Sequence, residues 1–229
     1  MDTLIKTVAE KHAKEAMSLS SFSSINIMGI KDSLKNMLSQ IGRDGIFDEY
    51  TVHDISHVDT MLSMLDYLIP KSTQNIMTSA DWLLIVLSFY FHDLGMLVTK
   101  KEFKNRMTND AYKQYHDDYL SKVSNIESLK SYSEDEKERF VYQEYVRMNH
   151  GNRISDWLTK DNIELYDEEV INLVQKMISG LKPIFVRDVA KICKSHNEDD
   201  ISDFDKYYKC RLWYEPTGKR KCILCCIDA

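Results

Sequence analysis

Residues 78–95 read TSADWLLIVLSFYFHDLG. From Trp82 to Phe91 every residue except Ser88 is apolar or aromatic. The run is too short to cross a membrane, which takes about 20 apolar residues. It reads as a fully buried helix over 78–93, the axis around which other elements pack. The rest of the composition agrees. The chain has 229 residues, with only 7 Gly and 3 Pro. Sandwiches and barrels need many turns, and turns favour those two residues. An all-α fold is therefore expected, as one domain over 1–229.

Working outward, residues 1–19 read as an amphipathic helix and Ser20–Ser24 as a polar break. N-terminal helices thus occupy 1–44, the second over about 30–41. A third helix is expected over about 54–69, ended by Pro70. Residues 97–132 are polar and charged and read as a peripheral helical insertion holding one or two helices. Ser133-x-x-Glu136 has the form of a capping box, opening a helix toward 149. Further helices are expected over about 149–160, 167–179 and 183–195, with Pro183 in a first turn. The tail fits either a hairpin around Pro216-Thr217-Gly218 or an extra helix from Lys219.

Charged residues make up 29% of the chain and the net charge is −6. That disfavours a broad nucleic-acid surface, which needs clustered Lys and Arg. The N-terminus lacks an apolar h-region. The five cysteines are Cys193, Cys210, Cys222, Cys225 and Cys226. An odd count without a signal segment points to a reducing, cytoplasmic setting and no membrane. The run CILCCI reads as buried small hydrophobes rather than half of a zinc site.

The histidines carry most of the functional information. His57, His92, His150 and His196 each continue an apolar stripe at i±3 or i±4 spacing, near element ends. A single histidine so placed is more often a satisfied core residue; four of them weaken that reading. Imidazole is the commonest transition-metal ligand, and bundles build sites by convergence of helices. His92-Asp93 closes the buried helix, where a carboxylate is costly unless paired or metal-bound. Gly95 permits a sharp turn after it. His12 and His116 sit in polar stretches and read as solvated.

Taken together, these segments resemble the HD-domain superfamily of metal-dependent phosphohydrolases. Its signature is a His, a distant His-Asp on a buried helix and a late Asp, on a helical bundle. The matching strings are Tyr50–His57 (YTVHDISH), Phe91–Met96 (FHDLGM), Arg147–Arg153 (RMNHGNR), Ile192–His196 (ICKSH) and Leu224–Ala229 (LCCIDA). They are similar to those of a bacterial subgroup often found in multidomain proteins. The resemblance implies a metal held by His57, His92, Asp93 and Asp228. It implies that His150 and His196 hold a second metal or the substrate phosphate. One or two divalent ions are implied, among Mn, Fe, Ni, Co, Zn and Mg. Asp228 lies one residue from the end, where a chain frays. A further domain past residue 229 is therefore expected, with Asp203 or Asp205 as alternative ligands.

The implied chemistry is hydrolysis of a phosphate ester, in a nucleotide or a phosphodiester, by a metal-activated water. Asp93 then acts in catalysis as well as ligation. His53, one turn from His57, could serve as general acid. Arg147 and Arg153 could grip phosphate through paired hydrogen bonds. Many HD domains carry lysine where this chain has Met96, so Lys100 or Lys101 is the expected substitute. Two other readings stand beside this one: a catalytically weak module that binds a nucleotide and signals to another domain or partner, and a helical interaction domain with core histidines. Metal content and turnover separate the three.

Overall fold

The apolar run forms α5 (Ser79–Phe91). Thr78 and Asp81 cap its start reciprocally, and most side chains along it are buried, the rest half-buried. A helix apolar on all sides must be covered on all sides. The computed structural model describes residues 5–40, 54–123 and 131–197, with the backbone of two short strands. Within it α1 (Val8–Glu15) and α10 (Pro183–Ser195) pack on α5, and α3 (Ile55–Leu68) adds a further side. The core continues through α2 (Ile27–Leu38), the C-terminal half of α8 (Glu134–Thr159) and α9 (Glu168–Ile178). The bundle is all-α, apart from a two-stranded hairpin.

A buried polar knot ties the N-terminal helices to this bundle. Lys31 on α2 is only 2% exposed, and its Nζ lies 2.5 Å from both Glu10 Oε1 on α1 and Asp59 Oδ1 on α3. Tyr90 on α5 donates to the same Glu10 oxygen at 2.6 Å. Burial raises the Glu10 carboxyl, but the bonds from Lys31, the Thr7 backbone and Tyr90 outweigh it and hold it below its ordinary value. Four helices are thereby joined around two buried charges.

The structure departs from the sequence reading in several places. The helix expected to stop near 149 and restart runs unbroken as α8, 26 residues long. Gly151 costs helix propensity but is needed for close packing, as shown below. The described part of the 97–132 segment is more than polar. It holds α6 (Lys100–Asn105) and α7 (Asp110–Val123), and with α8 it builds a second small core from Met96, Val98, Tyr112, Val141, Tyr142 and Val146. His116 on α7 is therefore not solvated. It is 8% exposed, with Nε2 2.7 Å from Glu138 Oε1. His12 lies stacked on Trp82, ring centres 5.3 Å apart.

Of the two readings of the tail, the hairpin is the one found. β1 (Leu212–Tyr214) pairs antiparallel with β2 (Arg220–Cys222) in the register Leu212↔Cys222 and Tyr214↔Arg220. Cys225 and Cys226 lie outside the described residues. Among the described residues, no single helix is long and apolar enough to cross a membrane.

Candidate metal centre

Four elements meet at one end of the bundle, and each delivers a histidine. His57 sits in the first turn of α3. Its position is set by Asp54, which caps the helix by accepting from the Ser56 and His57 backbone N–H groups at 2.9 and 3.2 Å. His92 is the C-cap of α5, and His196 is the C-cap of α10. His150 lies within α8 and is buried. Asp93 follows His92 at φ −92°, ψ −4°, where the chain leaves α5 for a 3-10 turn over Leu94–Met96.

Asp93 lies between two groups of rings. Its Oδ2 is 2.9 Å from His92 Nε2 and 3.8 Å from His57 Nε2. Its Oδ1 is 3.6 Å from His150 Nε2. His150 and His196 approach Nε2 to Nε2 at 2.6 Å. The ligand atoms form two overlapping triads, His57–His92–Asp93 and Asp93–His150–His196, each within 4.8 Å of one another.

The outer nitrogens explain the orientation of three rings. His92 Nδ1 lies 2.8 Å from the Phe89 carbonyl, and His150 Nδ1 lies 2.6 Å from the Arg147 carbonyl. His196 Nδ1 bonds the Cys193 carbonyl. In each case the acceptor is three residues earlier on the same helix. A carbonyl can only accept, so Nδ1 carries the proton and Nε2 keeps its lone pair. The inward atoms are then two carboxylate oxygens and imidazole lone pairs, all electron-rich. The His150–His196 pair presents lone pair to lone pair, which repels unless a positive charge lies at that point. Burial, then the neighbouring His150, pushes His196 down to about 4, which disfavours a proton there. The donor set fits a divalent cation, with outer-nitrogen hydrogen bonds of the kind that orient metal-binding histidines.

Two glycines allow this convergence. A Cβ on Gly95 would overlap the His150 carbonyl, so the turn after Asp93 presses against α8 at that residue. A Cβ on Gly151 would meet Asn197 Oδ1 at 2.5 Å and the Lys194 carbonyl at 3.0 Å, so α10 presses from another side. A narrow surface notch beside the first triad is lined by Leu38, Asp54, His57, Val58, Tyr90, His92 and Asp93.

The other expected site residues fare differently. His53, Asp228, Asp203 and Asp205 lie outside the described residues. Lys100 begins α6 and is exposed. Arg147 is half-exposed one turn before His150 and pairs with Glu144 at 2.7 Å. Arg153 is a correction. It is 3% exposed, forms paired bonds with buried Glu102, and donates to the Gly95 and Leu97 carbonyls. With its guanidinium consumed in the interior, it supports the turn after Asp93 rather than meeting a phosphate. Tyr90 and Asn197, both beside the site, were not singled out from the sequence. Their distance from His92 and His196 along the chain, two residues and one, was the available signal.

These features coincide with family membership. Residues 47–229 match the HD-CE family, an HD-type domain family, and the chain belongs to it. No curated protein and no solved structure matches the chain.

Proposed function

We propose that the protein is a metal-dependent phosphohydrolase acting on a phosphate ester of a nucleotide or a phosphodiester. The observation that carries this reading is the Asp93 carboxylate, which offers one oxygen to His57 and His92 and the other to His150. A single carboxylate shared between two ring groups suits a two-ion site. His57, His92 and Asp93 would hold one ion; Asp93, His150 and His196 would hold the other, with Asp228 as a further ligand. Divalent ions there supply Lewis-acid stabilisation of phosphoryl charge and acidify a water.

The chain's own groups do the rest. The i−3 carbonyls keep three imidazoles in the ligating tautomer. Asp93 contributes the negative charge that draws cations into a ring of neutral donors. Arg147, one turn from His150, is the proposed cation for an anionic substrate, with Lys100 as a second. His53 is the proposed acid for the leaving oxygen. The subgroup of the HD superfamily and the cytoplasmic setting stand as part of the same reading.

The test is metal analysis of purified protein, followed by nucleotide and phosphodiester hydrolysis with added Mn, Co, Ni, Fe, Zn or Mg. Two ions per chain and turnover that disappears in Asp93→Ala are expected. Full metal occupancy in Asp93→Ala would overturn the ligand assignment. Stoichiometric metal with no turnover on any phosphate ester would replace hydrolysis with a nucleotide-binding, signalling role.

A further inference from the structure

The Asn197 side chain lies in an unusual place for a residue just past a helix end. Its Oδ1 accepts from the Gly151 backbone N–H at 2.9 Å, and its Nδ2 lies 3.5 Å from the Arg147 carbonyl. In an α-helix those two backbone groups, four residues apart, pair with each other. The amide of Asn197 therefore clasps α8 across the turn that carries His150, and its Nδ2 sits 3.2 Å from His150 Nδ1 because both N–H groups face the Arg147 carbonyl. The Arg147 carbonyl that Asn197 reaches is the one that accepts from His150. Asn197 is also covalently next to His196.

We propose that Asn197 is a positioning residue that fixes the His150–His196 pair for binding one of the two ions. One side chain just past the end of α10 reaches across to α8 at the point where the two histidines meet. Its orientation follows from Gly151: a backbone N–H can only donate, so Oδ1 faces it and Nδ2 faces the Arg147 carbonyl. Nδ2 then adds a donor to the carbonyl that orients His150. The inference rests on the two-ion reading above but concerns only the second triad. Among the bonds described, Asn197 is the side chain from outside α8 that bonds the backbone groups flanking His150.

The test uses Asn197→Ala and Asn197→Asp in the full chain, read by metal titration, thermal melting and ¹⁵N spectra of the imidazoles in metal-free protein. Outer-contact losses of this kind typically weaken metal affinity about 10–100-fold. Asn197→Ala is expected to weaken the second ion by that factor and leave the first within about 3-fold, well below that range. The His150 ring is expected to lose its single Nδ1–H signature and show averaged tautomers. Asn197→Asp keeps the Gly151 acceptor and is expected to retain the inter-helix spacing while losing the Nδ2 contact. A lowered melt with unchanged second-ion affinity and unchanged His150 tautomer would overturn the proposal, leaving Asn197 a purely structural clasp. If the wild-type protein binds no ion at all, the two-ion reading fails. The imidazole spectra still decide whether Asn197 orients His150.

Discussion

Replacing Lys31 with Met removes one buried ammonium and keeps most of its stem. Lys31 is 2% exposed and stands between Glu10, which is fully buried, and Asp59. Breaking a buried pair by deleting one partner costs about 3–5 kcal/mol, because the remaining charge is left uncompensated. Glu10 retains four donors here: Tyr90, the Thr7 hydroxyl, and the backbone N–H groups of Lys6 and Thr7. Asp59 retains Lys6 at 3.2 Å and some solvent. The cost therefore belongs at the low end, about 3 kcal/mol. For a chain of this size each kcal/mol moves Tm by about 2–4 °C, so Lys31→Met should melt about 6–12 °C below wild type.

The pH dependence has a definite sign. Glu10 is depressed below its ordinary 4.5 in the folded protein. Such a group stabilises the fold above the ordinary value, and that stability is lost as pH falls through the depressed one. In Lys31→Met the depressing ammonium is gone while burial remains, so Glu10 is held down less than in wild type. The gap between wild type and variant should be full near neutrality and shrink below pH 4.5. Thermal melts from neutral pH to pH 3 measure it. Adding Glu10→Gln to Lys31→Met should recover part of the loss, since a neutral amide needs no counter-charge. A variant that melts with wild type at neutral pH, or a gap that widens on acidification, would refute the reasoning.

Two further outcomes follow from the same geometry. Arg153→Ala should destabilise the fold by about 3–5 kcal/mol by stranding buried Glu102, with any residual hydrolysis keeping its substrate KM. A raised KM in a variant that melts normally would return Arg153 to the substrate site. Cys193 is fully enclosed, its thiol is pushed up by burial and then by Asp93, and its Sγ lies 3.5 Å from the Ser88 carbonyl. It should resist alkylation in native protein and react on unfolding, and mass spectrometry of native labelling that finds it modified would contradict that burial.

How much of this was readable in advance depended on whether the determining contact was local. The buried helix α5, the Ser133–Glu136 capping box and the helical spacing of four histidines are local patterns, and each appears in the structure. The hairpin was one of two readings, because CILCCI suits a buried helix and a buried strand equally well. Arg153 and His116 were misread because their partners, Glu102 and Glu138, lie 51 and 22 residues away. A charged residue on a helix looks solvated until the element that covers it is known. The break expected near 149 failed for a related reason. Gly151 weakens a helix considered alone, yet α10 approaches so closely there that no side chain fits.

That last point connects the packing to the chemistry. His150 is flanked in space by two contacts that exclude a Cβ, the Gly95 turn on one side and the Asn197 clasp on the other. The Gly95 turn begins at Asp93, so the approach that requires a glycine also brings Asp93 Oδ1 within 3.6 Å of His150. The α10 approach brings His196 to His150 in the same way. The second triad thus depends on close approaches to Gly95 and Gly151 that leave no room for a Cβ. The first triad is assembled differently, by adjacency of His92 and Asp93 in the chain and by the Asp54 cap that sets His57. Enlarging Gly95 should therefore disturb the Asp93–His150 pairing more than the Asp93–His92 one, which adjacency preserves. The two groups of ligands, although they share one carboxylate, depend on different parts of the sequence.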